Sequence, residues 1–345
     1  MRRTPTIVTA LAAAAAAASL LLTGCVAGEG SAAGSTSSSG VTKGGTLNID
    51  FATYNPLSLV IKKQGWLEKA LKKQDITVNW VQSAGSNKAN EALRSGAIDV
   101  GSTAGSAALL NRSNGSAIKV IDIASQPEWS AIVVGPNSPI TSVAQLKGKQ
   151  IAATKGTDPY FFLLQSLEAN GLSASDVTIQ NLQHADGWAA LQNGSVDAWS
   201  GLDPIMANAE KSGAKLIYRN VAFNTYDVVA ATESFLSSKP DVAQTVVNAY
   251  EHAREWAQKH PDETAKILSD VAGIDPAVAS SVISERTNLD VSPLPGDAQL
   301  KVLTKVGPIF VQSGDVKSQS DIDKALDSLL DPDLVKKADP SAIGN

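Results

Sequence analysis

The sequence contains a single cysteine, Cys25, among 345 residues. No disulfide can therefore form within the chain, and no cysteine-based metal site is available. The three histidines, His184, His252 and His260, are too scattered to form a metal-binding signature. No His-Glu-x-x-His, Gly-x-Ser-x-Gly or P-loop motif occurs, and no acid–base cluster stands out. We therefore expect no catalytic residue, no metal and no cofactor.

The chain also lacks the basic character of a nucleic-acid-binding protein, because its formal net charge is −5. Its one long apolar run, residues 6–22, follows Arg2 and Arg3. The run is short for a stable membrane-spanning helix, which needs about 20 residues. A basic start, an apolar stretch and small residues at the cut are typical of a secretory signal peptide. We predict that residues 1–24 are such a signal peptide.

The segment Leu22-Thr23-Gly24-Cys25 closes the apolar run and resembles a bacterial lipobox. This resemblance implies cleavage before Cys25 and lipid on its sulfur and its new amino group; an ordinary secretory signal with a stray cysteine is the alternative. Residues 26–43 have almost no large apolar side chains and cannot bury enough surface to order themselves. Residues 25–44 are therefore predicted to be a lipidated, flexible tether. The expected location is the extracytoplasmic face of the cell membrane.

Two segments in different halves of the chain share the pattern Ala-Leu-x-x-Gly-x-[Ile/Val]-Asp-[Val/Ala]. The first is residues 92–100 and the second is residues 190–198. Each pattern predicts a helix end, a glycine stop, a short apolar strand and a polar loop that opens another helix. A pattern used twice favours two lobes built to one plan, with the polar loops facing each other across a cleft. The alternative is a common turn with no further meaning.

Strand patterns alternate with helical patterns over the rest of the chain, which predicts an α/β fold with mainly parallel sheets. Asn55 as N-cap and Pro56 at the first helical position mark the start of a helix that stops near Gly65. The segment Gly135-Pro136 breaks the chain, so we place the first crossing between lobes there. The strand from Asp227 is predicted to return to the first lobe. The predicted divisions are residues 45–134 for lobe 1, residues 135–226 for lobe 2, and residues 227–345 for the rest of lobe 1 with the C-terminal helices.

Several short segments add to the repeated pattern: Gly101-Ser102-Thr103, Asn137-Ser138-Pro139-Ile140, Leu146-Lys147-Gly148-Lys149, Lys155-Gly156-Thr157, Val196-Asp197-Ala198-Trp199 and Asp203-Pro204. In their order and spacing the chain resembles the type II solute-binding proteins of bacterial ABC uptake transporters that serve aliphatic sulfonates, taurine and nitrate. The resemblance covers residues 45–330. It implies the two-lobed type II periplasmic binding protein fold, with two hinge crossings and a ligand that is buried as the lobes close. It also implies a permease as partner, and we expect a monomer.

Polar loops after the predicted strands supply the candidate ligand-binding residues. Helix starts after Asn55, after Thr103 and at Asp158 would direct free N–H groups and positive dipole ends into the cleft. Hydroxyl groups there would add hydrogen bonds without charge, which suits a small oxyanion such as a sulfonate. The alternative is that these residues only cap their own helices. The candidates are Thr53, Tyr54, Asn55, Ser102, Thr103, Ala104, Trp129, Thr157, Asp158, Trp188, Trp199 and Asp203.

Two departures from the family bear on the ligand. Asp158, expected as an N-cap before Pro159, would occupy the anion site with its own carboxylate. Leu202-Asp203-Pro204-Ile205 stands where family members often carry Trp-Asp-Pro-Tyr, and a carboxylate there favours a ligand with an ammonium group, unless it only caps a helix. An amino-sulfonate or similar zwitterion is therefore expected over a plain alkanesulfonate or nitrate. Trp129 and Trp188 either wall the pocket or belong to the core.

These observations favour a lipid-anchored receptor that delivers a small organic anion or zwitterion to an ABC importer. Two alternatives stay open. One is an enzyme on the same fold, such as a tetrapyrrole-pathway or thiamine-pathway relative, which the missing acid–base cluster disfavours. The other is a surface lipoprotein whose closed form signals to a partner.

Overall fold

A computed structural model describes residues 41–344, which form two five-stranded mixed sheets flanked by helices. The predicted signal peptide, residues 1–24, and Cys25 lie outside the described residues, as does most of the predicted tether, residues 25–44. The strands are β1 Thr46–Phe51, β2 Thr77–Gln82, β3 Val100–Ala104, β4 Ile118–Ser125, β5 Ser130–Val134, β6 Gln150–Ala153, β7 Thr178–Asn181, β8 Ala198–Leu202, β9 Lys215–Tyr218 and β10 Asp227–Thr232. The helices are α1 Pro56–Gln64, α2 Trp66–Leu71, α3 Ser86–Ser95, α4 Gly105–Ser113, α5 Asp158–Ala169, α6 His184–Gln192, α7 Ile205–Lys211, α8 Glu233–Ser238, α9 Pro240–Lys259, α10 Pro261–Ala272, α11 Pro276–Ser281, α12 Asp297–Gln312 and α13 Gln319–Leu329.

The two sheets have the same topology. Sheet one has the strand order β2-β1-β3-β10-β4, and sheet two has the order β7-β6-β8-β5-β9. In each sheet the first two pairings are parallel and the last two are antiparallel. The chain passes from sheet one to sheet two between β4 and β5, and it returns between β9 and β10. The two-lobed plan predicted from the repeated pattern is confirmed.

The position of β5 corrects the predicted first crossing. β5 was expected to end lobe 1 at Val134, but it pairs with β8 and β9 in sheet two, with Ile132 opposite Ser200. The crossing is therefore residues 126–129 and not the Gly135-Pro136 segment. β10 lies in sheet one, where Asp227 is opposite Ala104 on β3.

The repeated Gly-x-[Ile/Val]-Asp pattern leads from a helix into the third parallel strand of each sheet, from α3 to β3 and from α6 to β8. Gly96 and Gly194 end α3 and α6 in the left-handed region, with φ of 72° and 76°. Asp99 then accepts from the N–H of Asn48 on β1 at 2.8 Å. Asp197 accepts in the same way from the N–H of Gln150 on β6 at 2.9 Å. The two lobes thus share one structural feature: in each, the aspartate of the pattern helps to fix the register between a strand and its parallel neighbour.

Helix α1 begins and ends as the sequence predicts. Asn55 accepts from the N–H of Ser58 at 3.0 Å, and Pro56 occupies the first turn, where its missing N–H costs nothing. Gly65 takes φ of 65° and donates to the carbonyls of Ile61 and Lys62. This helix fixes the loop after β1, which forms one wall of the space between the lobes.

The C-terminal helices pack on lobe 1 and also reach lobe 2. The apolar side of α9, including Val246, Val247 and Tyr250, is buried in the core beneath sheet one. Phe310 on α12 lies 4.3 Å, between ring centroids, from Phe161 on α5 of lobe 2. Within residues 41–344, no helix is both long and apolar enough to span a membrane.

Candidate functional site

A narrow cavity of about 10 Å³ lies between the lobes, beside the loops that follow β1 and β8. Both lobes, the first crossing and the π-helical turn Val282–Arg286 after α11 contribute to its wall. The lining residues are Thr53, Tyr54, Pro56, Pro127, Trp129, Asp203, Val282, Arg286 and Thr287. The structure thus brings together four predicted site residues from three separate segments: Thr53, Tyr54, Trp129 and Asp203.

Tyr54 and Trp129 form the aromatic side of this cavity. Their ring centroids are 6.0 Å apart with an interplanar angle of 80°, an edge-to-face contact. The hydroxyl of Tyr54 donates to the carbonyl of Ser102 at 2.9 Å, which fixes the ring. Ala104 of lobe 1 and Leu202 of lobe 2 pack into the same apolar cluster. The surface they form suits an aliphatic group and has no charge of its own.

Asp158 was expected to cap a helix, but in the structure it connects the two lobes. Thr157 is the N-cap of α5, and Asp158 is its first residue. Its carboxylate accepts from the hydroxyl of Ser106 on α4 at 2.7 Å and from Trp129 Nε1 at 2.9 Å. It also accepts from the N–H and the hydroxyl of Thr225 at 2.9 and 2.6 Å. Burial raises the pKa of Asp158, and these four donors oppose that rise. All four hydrogen bonds to the carboxylate of Asp158 therefore come from the protein, and it has no lone pair directed at a ligand.

Asp203 is likewise paired within the protein. Arg286 Nη1 lies 3.2 Å from both carboxylate oxygens of Asp203, and the N–H of Ala207 donates to it at 2.9 Å. The other end of the guanidinium binds Glu210. Burial raises the pKa of Asp203 to about 6, and the charge of Arg286 opposes this. The expectation that Asp203 awaits a ligand ammonium is corrected, because Arg286 already supplies the positive charge.

The hydroxyl groups predicted to bind an oxyanion point to acceptors within the protein. Ser102 donates to Asp50, at 3.2 Å from each carboxylate oxygen. Thr157 donates to the carbonyl of Thr154 at 2.6 Å, and Thr103 lies 3.5 Å from the carbonyl of Ala104. Burial raises the pKa of Asp50 to about 7, against hydrogen bonds from Ser102 and Ser83. These hydroxyl groups therefore hold the loops in place and do not line the cavity.

Two of the three predicted helix starts are also occupied. At α1, the side chain of Asn55 caps the N–H of Ser58. At α4, the N–H groups of Gly105 and Ser106 bond to the carbonyl of Tyr226 and the hydroxyl of Thr225. Both positive ends are thus satisfied by the protein, so neither is free for an anion.

Trp188 and Trp199 do not wall the cavity. Trp199 on β8 is fully buried in the core of lobe 2, and Trp188 on α6 packs beside it at 6.1 Å between ring centroids. Gly187 makes this possible, since a methyl group there would lie 2.8 Å from the indole of Trp199. Both tryptophans stabilise α6 on its sheet, which is the core interpretation left open for Trp188.

A second contact between the lobes lies where α3, α5 and α6 begin, and we call it the seam. A methyl group placed on Gly85, the N-cap of α3, would lie 2.9 Å from His184 Nε2, on the first residue of α6. One placed on Gly156, just before α5, would lie 3.6 Å from Asn87 Cβ. None of these three helices has a side-chain capping bond at its N-terminus. Uncapped helix starts from both lobes thus converge at the seam.

Sequence reasoning missed Ser106, Thr225, Arg286, Asn87 and His184. Arg286 has no local signal, because its partner Asp203 is 83 positions away. Ser106 and Thr225 lie 52 and 67 positions from Asp158. His184 was visible as one of only three histidines, but no spacing connects it with Gly85.

Comparison with known proteins decides which family this architecture belongs to. Residues 58–264, more than half of the chain, match the model of the family described as NMT1/THI5 like. The chain belongs to the NMT1/THI5-like family. A protein from Bacillus subtilis (strain 168), assigned by name as an aliphatic sulfonates-binding protein, is 30% identical to this chain over 236 residues. The match covers 67% of this chain and 71% of that protein.

Solved structures show the same fold for this NMT1/THI5-like chain. The alkanesulfonate-binding protein SsuA from Xanthomonas axonopodis pv. citri, bound to MOPS, superposes with a TM-score of 0.75 at 24% identity. It aligns over 83% of this chain and 99% of that one. The periplasmic aliphatic sulphonate binding protein SsuA from Escherichia coli gives a TM-score of 0.70 at 25% identity, over 83% and 92%. The predicted type II binding-protein fold is confirmed.

The names of these relatives share one general role, the binding of a solute. They are named as binding proteins and not as enzymes. The chain is therefore a solute-binding protein, and the enzyme alternative is set aside.

Proposed function

We propose that this protein is the lipid-anchored receptor of an ABC importer and captures a small aliphatic sulfonate between its lobes. The observation that carries the proposal is the seam, where helix starts from both lobes meet without side-chain caps. Free N–H groups and the positive ends of helices bind oxyanions without needing a charged side chain. An anion held by both lobes at once would stabilise the closed arrangement.

The aliphatic part of such a ligand would pack against Tyr54 and Trp129, which requires the narrow cavity beside them to widen when the ligand enters. The start of α5 lies close to both the seam and the cavity. Gly156 lies beside Asn87 at the seam, and Asp158 accepts from Trp129 Nε1 at the cavity. A short chain leaving the seam along α5 would therefore meet the two aromatic rings. The names of the relatives, which include alkanesulfonate and aliphatic sulfonate binding, support the same class.

The zwitterion preference expected from Asp203 is not retained. That carboxylate is 4% exposed and bonded to Arg286 and Ala207, so an ammonium would have to displace an ion pair that is already formed. We therefore propose plain alkanesulfonates as ligands at least as good as taurine.

Titration calorimetry of the wild type with propanesulfonate, taurine and nitrate tests this proposal. We expect binding of propanesulfonate and a weakening of at least about tenfold in Trp129→Ala, since buried aromatic anchors dominate small interfaces. Trp256→Ala is the matched control, because Trp256 packs against Trp66 and is not among the residues that line the cavity. Folded wild type that binds no sulfonate would refute the proposal.

The anchor is tested separately through Cys25. We propose that lipid on Cys25 holds the receptor at the extracytoplasmic face, near its permease. Cys25→Ala should appear in the soluble fraction or remain unprocessed, whereas Thr23→Ala should stay with the membrane. A Cys25→Ala protein that is processed normally and still membrane-bound would show that another device anchors it.

A further inference from the structure

His184 is the first residue of α6 and is buried at the seam, with 2% of its surface exposed. Its Nδ1 lies 3.2 Å from Thr154 Oγ1. Thr154 Oγ1 donates its own proton to the carbonyl of Leu182 at 2.7 Å, so it accepts from Nδ1–H. The neutral ring therefore carries its proton on Nδ1 and presents a lone pair at Nε2.

His184 Nε2 has no hydrogen-bond partner among the described residues. It points across the seam to lobe 1, where a methyl group on Gly85 would lie within 2.9 Å of it. Only glycine leaves room for the imidazole at this approach. Burying a polar nitrogen without a partner is unfavourable, so its position calls for a partner that enters from outside the chain.

The surroundings of Nε2 select an anion as that partner. The starts of α3 and α6, helices of 10 and 9 residues, meet here without side-chain caps. A sulfonate carries only acceptor oxygens, and the lone pair of Nε2 would repel one. Contact between them requires a proton on Nε2.

We propose that His184 Nε2 takes up one proton and donates it to an oxygen of the bound anion, so that ligand capture is coupled to protonation of this imidazole. The inference rests on the proposed sulfonate-binding function and deepens it. No covalent bond forms or breaks; the proton comes from solvent and returns there when the ligand leaves.

No nearby charge holds the His184 imidazole in its protonated form before a ligand binds. Burial lowers the pKa of His184 to about 4, and no charged group contributes to that shift. On α3, just before α5 and on α6, the charged side chains are exposed: Lys88, Glu91, Arg94, Lys155 and Asp186. Asp158, at the start of α5, is buried, but its carboxylate is bonded to Ser106, Trp129 and Thr225 and does not contribute to the shift at His184. The imidazole is thus neutral near pH 7 without ligand. A bound anion raises its pKa, so affinity increases as pH falls and is lost as pH rises through the pKa of the complex.

Calorimetry with propanesulfonate between pH 5.5 and 8.5 tests the coupling, because this ligand has no titrating group in that range. We expect the affinity of the wild type to fall at least about tenfold across it, since one pKa unit corresponds to about tenfold in affinity. Parallel titrations in two buffers of different ionisation heat should show uptake of one proton near pH 6.5. His184→Gln keeps a permanent donor and should give a flat profile, whereas His184→Phe should weaken binding at every pH. His260→Gln, at an exposed histidine, should keep the wild-type profile.

The outcomes separate the two proposals. Wild type that binds propanesulfonate with a flat profile, or more tightly at high pH, would overturn the role of His184 and leave sulfonate binding intact. A pH profile that survives in both His184 variants would also overturn it. Failure of the folded wild type to bind at any pH would refute sulfonate binding itself, and the coupling with it.

Discussion

At the scale of single residues, two buried carboxylates beside the cleft, Asp158 and Asp203, are paired with donors of the protein. Asp158 binds four donors drawn from α4, the first crossing and the second crossing. Asp203 is bound by Arg286 from the C-terminal region. Each of these acids lies next to the ligand cleft and would, if unpaired, repel an anion. Their pairing is therefore what makes an acidic cleft compatible with a sulfonate.

Asp203→Asn separates the structural interpretation of this residue from a ligand-binding one. The substitution removes one of the two carboxylates that pair with the buried Arg286 and leaves only Glu210. We therefore expect the free energy of unfolding to fall by about 3–5 kcal/mol in urea titrations. Propanesulfonate and taurine should lose affinity by the same factor. Glu91→Gln, which breaks the exposed pair of Glu91 with Lys88, is the control and should leave stability nearly unchanged, because solvent screens this pair. A selective loss of taurine affinity would restore the ligand role of Asp203.

Asp50 makes stability depend on pH. Burial raises its pKa to about 7, so the folded state holds a proton that the unfolded state releases near the ordinary value of 3.8. This contribution is present at low pH and is lost as pH rises through 7. Between pH 5 and pH 8 the wild type should lose about 2–3 kcal/mol more of unfolding free energy than Asp50→Asn does. Equal losses in urea titrations of the two proteins would contradict the assignment.

At the scale of elements, the repeated pattern predicts that the same substitution has a similar effect on stability in each lobe. Asp99 and Asp197 accept equivalent hydrogen bonds from Asn48 on β1 and Gln150 on β6, the neighbouring parallel strands. Asp99→Ala and Asp197→Ala should each reduce the free energy of unfolding by about 0.5–1.5 kcal/mol, because a half-buried or exposed strand N–H loses its acceptor. The corresponding Asp→Asn variants keep an acceptor and should lose less. A large effect in only one lobe would show that the pattern is structural in that lobe alone.

Elements whose signals are local could be predicted from the sequence. Asn55, Pro56 and Gly65 specify α1 through contacts within a few residues, and the structure places its ends there. The sheet to which β5 belongs could not be predicted, because residues 126–129 look like any short connection. Only the pairing of Ile132 with Ser200 decides it.

The candidate site was predicted less well than the fold, for the same physical reason. Tyr54 was predicted from its place in the polar loop after β1, and it lies at the cavity. Trp129, which the sequence left open between the pocket wall and the core, lies there too. Which polar atoms of the loops remain free depends on partners far along the chain. The hydroxyl of Ser102, for example, is taken by Asp50, which lies 52 positions earlier. Local sequence patterns do not show such pairings, and the unpartnered nitrogen of His184 became apparent only in the folded chain.

At the scale of the whole molecule, we predict that the lobes separate and close about the two crossings when a ligand is captured. The interlobe bond between Ser106 and Asp158, at 2.7 Å, favours the closed arrangement without a ligand. A hydrogen bond to a charged group contributes about 1.5–3 kcal/mol, which is enough to change an open-to-closed ratio by about tenfold or more. The ligand-free protein should therefore populate both arrangements, with the closed one favoured.

Electron–electron distance measurements can resolve these populations, because Cys25 is the only native cysteine and can be replaced. Spin labels at Glu91→Cys on α3 and Asp186→Cys on α6, both exposed, report the width of the seam. We expect a mixture of long and short distances without ligand and the short one alone with saturating propanesulfonate. Ser106→Ala should enrich the long distance without ligand and still close with it. If the distribution stays unchanged in both proteins while calorimetry confirms that the ligand is bound, the lobes do not move, and capture must occur without hinge closure.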